Sequence, residues 1–203
     1  MAVTGLRLFG VLLLPRDGPR PLLPGVDMVD MRDLAAVVRA APFAPVAATP
    51  ETVAEHQRVV DAAFLHGAVI PAPCGTVFRS AELVRDWLDE HYIALSEGLH
   101  FIIGRCEARV HVMRADGGPT SEKELATLAA DCFRALRREA AAAVPLPHGE
   151  DGEVLGAGFL IPVQEWADFS DRVREQSQRL TDVRFEQTGP WPPYDFVRMD
   201  FGV

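Results

Sequence analysis

The segment from Arg105 to Met113 alternates without interruption. Cys106, Ala108, Val110 and Val112 fall on one parity, and Arg105, Glu107, Arg109 and His111 on the other. Successive side chains of a strand point to opposite faces, so this pattern specifies a half-buried strand. A strand of that kind needs a sheet around it and a layer packed on its apolar face. The rest of the chain has to supply both.

It does so in mixed order. Leu6 to Leu14 is apolar and β-like, and a Pro/Gly-rich stretch from Pro15 to Gly25 ends it. Val26 to Met31 reads as a short strand. Leu34 to Val38 fits strand or helix by pattern, and its closeness to the preceding segment favours a hairpin. Thr49-Pro50-Glu51 opens a helix, with a capping hydroxyl, a proline suited to the first turn and an acid at the positive end of the dipole. That helix is expected to reach Leu65 and stop at Gly67. Ala68 to Pro71 reads as a buried strand. Ser80 caps a further helix whose apolar positions Leu83, Val84, Trp87, Leu88, Tyr92 and Leu95 share one face.

After the Arg105 strand, Gly117-Gly118-Pro119 breaks the chain. Ser121-Glu122-Lys123-Glu124 is a capping box for a helix expected to end near Val144. Pro145 to Gly152 is a polar turn, and Val154 to Ile161 a strand. Pro162 opens a helix with Trp166, Phe169 and Val173 on one stripe. Thr181 to Glu186 and Phe196 to Phe201 are read as the last strands. The first half is then roughly β-β-β-α-β-α and the second β-α-β-α-β-β. Each is a small sheet with helices packed on it, an α+β architecture with a boundary near Gly98 to Gly104, giving domains 1–100 and 101–203.

Composition narrows the function classes. Basic residues number 20 against 29 acidic ones, and the net charge is -9. The arginines are scattered, so phosphate neutralisation on a nucleic acid is not expected. The three cysteines, Cys74, Cys106 and Cys132, form no C-x-x-C pair, which fits a reducing cytosol better than a disulfide framework. The run from Leu6 to Leu14 contains Arg7 and is too short to span a bilayer, so a soluble cytosolic protein without a lipid-membrane partner is expected.

No chemical motif closes. Cys74, within Pro71-Ala72-Pro73-Cys74-Gly75-Thr76, reads either as a nucleophile beside backbone amides or as a structural thiol. His56, His66, His91, His100, His111 and His148 offer bases, but none stands at a spacing that fixes a dyad. No H-E-x-x-H pair suggests a metal. Gly156-Ala157-Gly158 is a fragment of a dinucleotide fingerprint inside a strand. Asp89-Glu90 and Glu150-Asp151 fall at expected helix or loop ends. Neither cofactor nor metal is expected.

The most distinctive run is Thr188-Gly189-Pro190-Trp191-Pro192-Pro193-Tyr194-Asp195-Phe196-Val197. Three readings fit it: an exposed proline-rich docking peptide, a stacking platform for a ligand, or a rigid connection between strands in which Trp191 and Tyr194 cover the sheet of the second domain. The strand-like segments on either side argue against a free tail.

This run resembles the C-terminal signature of the gas vesicle accessory proteins of the GvpL/GvpF family. His56 to Val60, then Gly67 to Pro71 and Gly75-Thr76-Val77-Phe78, are similar to a second part of that family's pattern. Asp33 to Val38 and Gly104-Arg105-Cys106-Glu107 match two more, all in the family's order. The chain departs from the pattern at Ala72-Pro73-Cys74, where the family usually has a basic-aromatic pair, and in the short connection Ala115 to Thr120. The resemblance implies two ferredoxin-like α+β domains with antiparallel sheets. It implies a non-enzymatic role in assembling the gas-filled shell, in the cytoplasm or on the vesicle, with the main shell protein GvpA and other accessory proteins as partners. The family-motif residues it singles out are His56, Pro71, Gly75, Thr76, Gly189, Pro190, Trp191, Pro192, Pro193 and Tyr194. A cysteine-dependent enzyme using Cys74 and a small-ligand sensor are the competing classes.

Overall fold

The computed structural model describes residues 4–15, 19–115, 121–147, 152–180, 182–197 and 199. Contacts divide the chain into two compact units. One holds the residues up to Ile103 together with those from Pro192 onward, and the other holds Gly104–Trp191.

The first unit is built from β1 (Thr4–Leu13), β2 (Asp27–Met31), β3 (Leu34–Pro42), α1 (Pro50–Phe64), β4 (Val69–Pro71), β5 (Val77–Phe78), α2 (Ala81–Glu90) and α3 (Tyr92–Ile102). Its antiparallel sheet runs β2-β3-β1-β4, and β5 also pairs with β1. The central strand carries Leu8, Phe9 and Leu12 into the core, each essentially solvent-free. Full burial of one such side chain is worth roughly 1.5–3 kcal/mol. Leu34–Pro42 forms the expected hairpin with β2, and the Leu34 to Val38 ambiguity is settled by pairing: every one of those residues is buried between neighbours. Thr49 caps α1, donating and accepting with Thr52.

The second unit runs β6 (Arg105–Arg114), α4 (Glu122–Arg137), β7 (Ala142–Pro145), β8 (Glu153–Pro162), a single 3-10 turn (Val163–Glu165), α5 (Trp166–Arg179) and β9 (Val183–Trp191). Its antiparallel sheet has the order β7-β8-β6-β9. That β-α-β-β-α-β sequence is the ferredoxin-like arrangement. Phe133, Phe159 and Phe169 pack in a tilted aromatic row, with centroids 5.9 and 5.4 Å apart, between the helices and the sheet.

Several expectations need correction. The helix expected to reach Val144 stops at Arg137, and Ala142–Pro145 pairs with β8 instead. An alanine run has high helix propensity, but pairing along Leu160 to Ala157 overrides it, and Pro145 is tolerated because β7 is an edge strand. The helix after Ser80 is interrupted at His91, giving α2 and α3. Strand β5 was not anticipated; two residues are too few for a pattern. Strand β8 continues through Pro162, and α5 begins only at Trp166. The last strand does not stop at Glu186 but extends to Trp191. Tyr194 to Phe196 form a turn, so the strand expected from Phe196 does not start there; Arg198 and the residues from Asp200 lie outside the described residues. So do Gly117-Gly118-Pro119, His148 and the Glu150-Asp151 pair.

The alternation of β6 holds on its apolar parity: Cys106, Ala108, Val110 and Val112 are all buried. The other parity is not left to water throughout. Glu107 has no exposure at all, and it receives the Arg109 Nε at 2.6 Å; His111 Nδ1 lies 2.6 Å from Glu153 Oε1. Buried carboxylates require partners of this kind.

Candidate functional site

In the first unit, charge gathers around one aromatic ring. Arg7 and Arg39 are direct cross-strand partners on β1 and β3. Like charges placed opposite each other destabilise a sheet. Glu55, from α1, offsets this by reaching both: Arg7 Nη1 donates to it at 2.8 Å, and Arg39 Nη1 donates to its other oxygen. Burial alone would raise the Glu55 pKa, but the Arg39 and Arg7 guanidiniums outweigh it and hold the carboxyl below the usual range. Both guanidiniums also lie over the Phe9 ring, at 5.0 and 5.2 Å from its centroid. The β1–β3 register shifts between Leu8 and Gly10, so Phe9 sits at a bulge.

His56 stacks on Phe9 with centroids 5.4 Å apart. It is 3% exposed, and burial first, then the nearby Arg7 charge, push its pKa down to about 4 against the opposing pulls of the Ala72 backbone and Glu55. The ring is therefore neutral at neutral pH, and it serves the core rather than titrating. Arg7 is the residue that sequence reasoning passed over. It is 7% exposed and also bonds the Thr52 carbonyl at 3.0 Å. Its signal was visible, since it is the sole charge in the apolar run Leu6 to Leu14. Nothing in the sequence pointed to Glu55 and Arg39 as its companions, because 48 residues separate Arg7 from Glu55.

The Pro71 to Thr76 segment closes beside this cluster. Pro71 ends β4, opposite Gly10 of β1. Thr76 is buried, and its Oγ1 donates to the Pro73 carbonyl at 2.9 Å, with Gly75 at φ +98° completing the turn. Cys74 Sγ lies 3.6 Å from Arg7 Nη2 and 3.7 Å from the Thr52 carbonyl. Its contacts are thus a guanidinium and a backbone oxygen, with no histidine bonded to it among the described residues. Among the described residues, no group of three or more His, Cys, Asp or Glu side chains could hold a metal ion. No helix of the described residues is long and apolar enough to cross a membrane.

The Thr188 to Val197 run divides at the boundary between the units. Thr188 to Trp191 belong to β9, and the residues from Pro192 go with the first unit. Gly189 has φ +121°, and a Cβ there would stand 2.7 Å from the Glu107 carbonyl oxygen and 2.8 Å from the Trp166 ring. Only glycine fits that strand end. The expectation that Trp191 and Tyr194 cover the second domain's sheet is not met. Trp191 is 38% exposed, and its indole N–H donates to Thr188 Oγ1 at 3.0 Å. Tyr194 packs instead on the first unit's core, against the cluster holding Phe9, Leu12, Val60 and Val69. Pro192 and Pro193 are buried, whereas Pro190 is exposed. Val197 lies against α3, where a Cβ on Gly98 would meet its Cγ1 at 2.7 Å.

A family model described as gas vesicle synthesis protein GvpL/GvpF matches residues 24–122 and 119–198. The chain belongs to the GvpL/GvpF family. Two curated members are similar over most of their length, both from Halobacterium salinarum. Gas vesicle protein F1 is 24% identical over 181 residues, covering 86% of this chain and 82% of the relative. Gas vesicle protein F2 is 27% identical over 178 residues, covering 86% and 81%. The fold matches the crystal structure of GvpF from Anabaena with a TM-score of 0.81 at 18% identity, over 97% of each chain. It matches GvpF from Microcystis aeruginosa with a TM-score of 0.79 at 16% identity, over 96% of this chain and 99% of the other. Within this GvpL/GvpF chain, the signature run is the strand end and return segment described above.

Proposed function

We propose that this GvpL/GvpF protein is an accessory factor of gas vesicle formation. It acts in the cytoplasm at the growing vesicle as a minor structural component or assembly factor, and it engages the main shell protein GvpA by contact rather than by catalysis. The observation that carries this reading is the family match, which runs through both units and whose description names gas vesicle synthesis. A shell subunit with a large apolar face aggregates unless a partner covers that face before assembly. An acidic protein with a net charge of -9 is suited to keep such a complex dispersed.

The helix α3 offers a surface of the required chemistry. Ile93 and Phe101 stand eight residues apart, a little over two turns along the same broad side of the helix, and are 72% and 42% exposed. Large aromatic and branched side chains left outward in this way are characteristic anchors of protein interfaces. Pro190 and Trp191 are exposed motif residues open to a partner, while His56, Pro71, Gly75 and Thr76 support the fold of the first unit.

Co-expression of the tagged full chain with the shell protein, followed by capture, tests the proposal. The wild type is expected to retain the shell protein, and an Ile93→Glu variant, whose side chain is 72% exposed, to lose most of it at an unchanged melting temperature. Absence of any complex, together with normal vesicles in a strain lacking the gene, would refute the reading.

A further inference from the structure

The ferredoxin-like sheet ends in β9, which pairs with β6 on one side and stands at the sheet edge on the other. Long edge strands invite pairing, and natural proteins blunt them with proline, lysine or a bulge. Here the blunting is confined to one end. The register shift lies between Glu107 and Arg109, opposite the Gly189-Pro190 pair, and residues 183–188 run in unbroken register with neither proline nor lysine.

The direction of the free backbone groups follows from the ladder. The Ala115 amide donates to the Asp182 carbonyl at 3.0 Å. Backbone groups alternate along a strand, so the even residues Asp182, Arg184, Glu186 and Thr188 turn theirs toward β6. Val183, Phe185 and Gln187 turn theirs outward. Two of the exposed side chains of this stretch, Arg184 and Glu186, carry opposite charges and bond each other at 2.8 Å.

The geometry points to β9 as a self-pairing edge that joins two copies of this chain antiparallel about Phe185. In that register Phe185 faces its own counterpart, and Val183 faces Gln187 of the second copy. All three outward-facing residues then exchange backbone hydrogen bonds across the axis. Arg184 falls directly opposite Glu186 of the other copy, and Glu186 opposite its Arg184, at the non-hydrogen-bonded positions where side chains stand closest. Shifting the register by two residues also satisfies the open backbone groups, but it sets Arg184 against Arg184 or Glu186 against Glu186, so charge selects the register about Phe185. A register moved by one residue places outward groups against inward ones and loses both matches. Two four-stranded sheets become one of eight strands. This proposal is independent of the assembly reading, which concerns α3.

The test is sedimentation equilibrium of the full chain across a concentration series. The mass is expected to rise from 22.2 kDa toward twice that value. Arg184→Glu alone, or Glu186→Arg alone, sets like charges opposite each other and is expected to weaken association by about tenfold or more, by the scale for opposed charges in a sheet. The double variant R184E/E186R restores it, because the complementarity is only inverted. Mixing the two single variants is expected to give a mixed dimer, which also shows that each single variant is folded. A chain that stays monomeric throughout, or a dimer indifferent to both reversals, overturns the proposal. So does protection of the Phe185 amide from exchange by a shell-protein peptide while the chain alone remains monomeric, since that outcome gives the edge to a different occupant.

Discussion

Replacing Gly189 by alanine tests whether the signature run is fixed by backbone geometry or by its aromatic side chains. The φ of +121° is a region that L residues rarely adopt, and holding a non-glycine residue there costs about 1–3 kcal/mol. The added Cβ would also stand 2.7 Å from the Glu107 carbonyl oxygen and 2.8 Å from the Trp166 ring. The ring has some room to turn, but the carbonyl belongs to the neighbouring strand and retreats only if the β6–β9 ladder opens. Overpacking of this kind adds about 1–3 kcal/mol. A total near 4 kcal/mol is therefore expected for the second unit, or about a thousandfold faster amide exchange for residues protected by the ladder, at 1.4 kcal/mol per tenfold. Native-state hydrogen exchange on β6 and β9 reads this directly. Exchange accelerated by less than tenfold in the Gly189→Ala variant would show that the strand end relaxes freely and that glycine is not required by geometry.

Other perturbations separate the remaining claims. Trp191→Ala is expected to cost about 1–2 kcal/mol in urea unfolding, below the 3–5 kcal/mol of a fully buried aromatic, because the ring is partly in water. A cost in the upper range would restore Trp191 as a core residue. Glu55→Gln leaves Arg7 buried and opposed to Arg39, and about 2–4 kcal/mol is expected; a further Arg39→Leu change should recover part of it by removing the like charge, and no recovery would dismiss the proposed cross-strand repulsion. His56 has a folded-state pKa of about 4 against an ordinary 6.5, so the unfolded chain binds the extra proton between those values. Its contribution is full above about pH 6.5 and is lost as the pH falls toward 4, amounting to about 2 kcal/mol between pH 7.5 and 5. His56→Phe should flatten that part of the pH profile, and an unchanged profile would rule His56 out as its source.

Much of the first unit is legible in the sequence. The Thr49-Pro50-Glu51 start and Gly67 stop are local signals, acting through capping and chain direction, and α1 forms between them. The β6 alternation is likewise local and gives its buried parity correctly. The errors fall where distant pairing decides. The residues from Ala142 to Pro145 have the local character of a helix end, and only β8 makes them a strand. Trp191 has the composition of a core residue, yet its place at the last position of an edge strand leaves it partly exposed. The candidate site divides the same way. His56 and the Pro71 to Thr76 turn stand out in the sequence, whereas the Arg7–Glu55–Arg39 grouping joins three segments that no spacing rule connects.

By itself, then, the sequence determined the periodicities, the caps and the signature run, because these are set by each residue's own backbone preferences and nearest neighbours. The tertiary structure decided how strand partners were chosen, which charges were left to face one another across β1 and β3, and how the signature run divides between a strand end in one unit and a Tyr194 anchor in the other. Those outcomes depend on side chains brought together from far along the chain, where burial and pairing energies exceed local propensity.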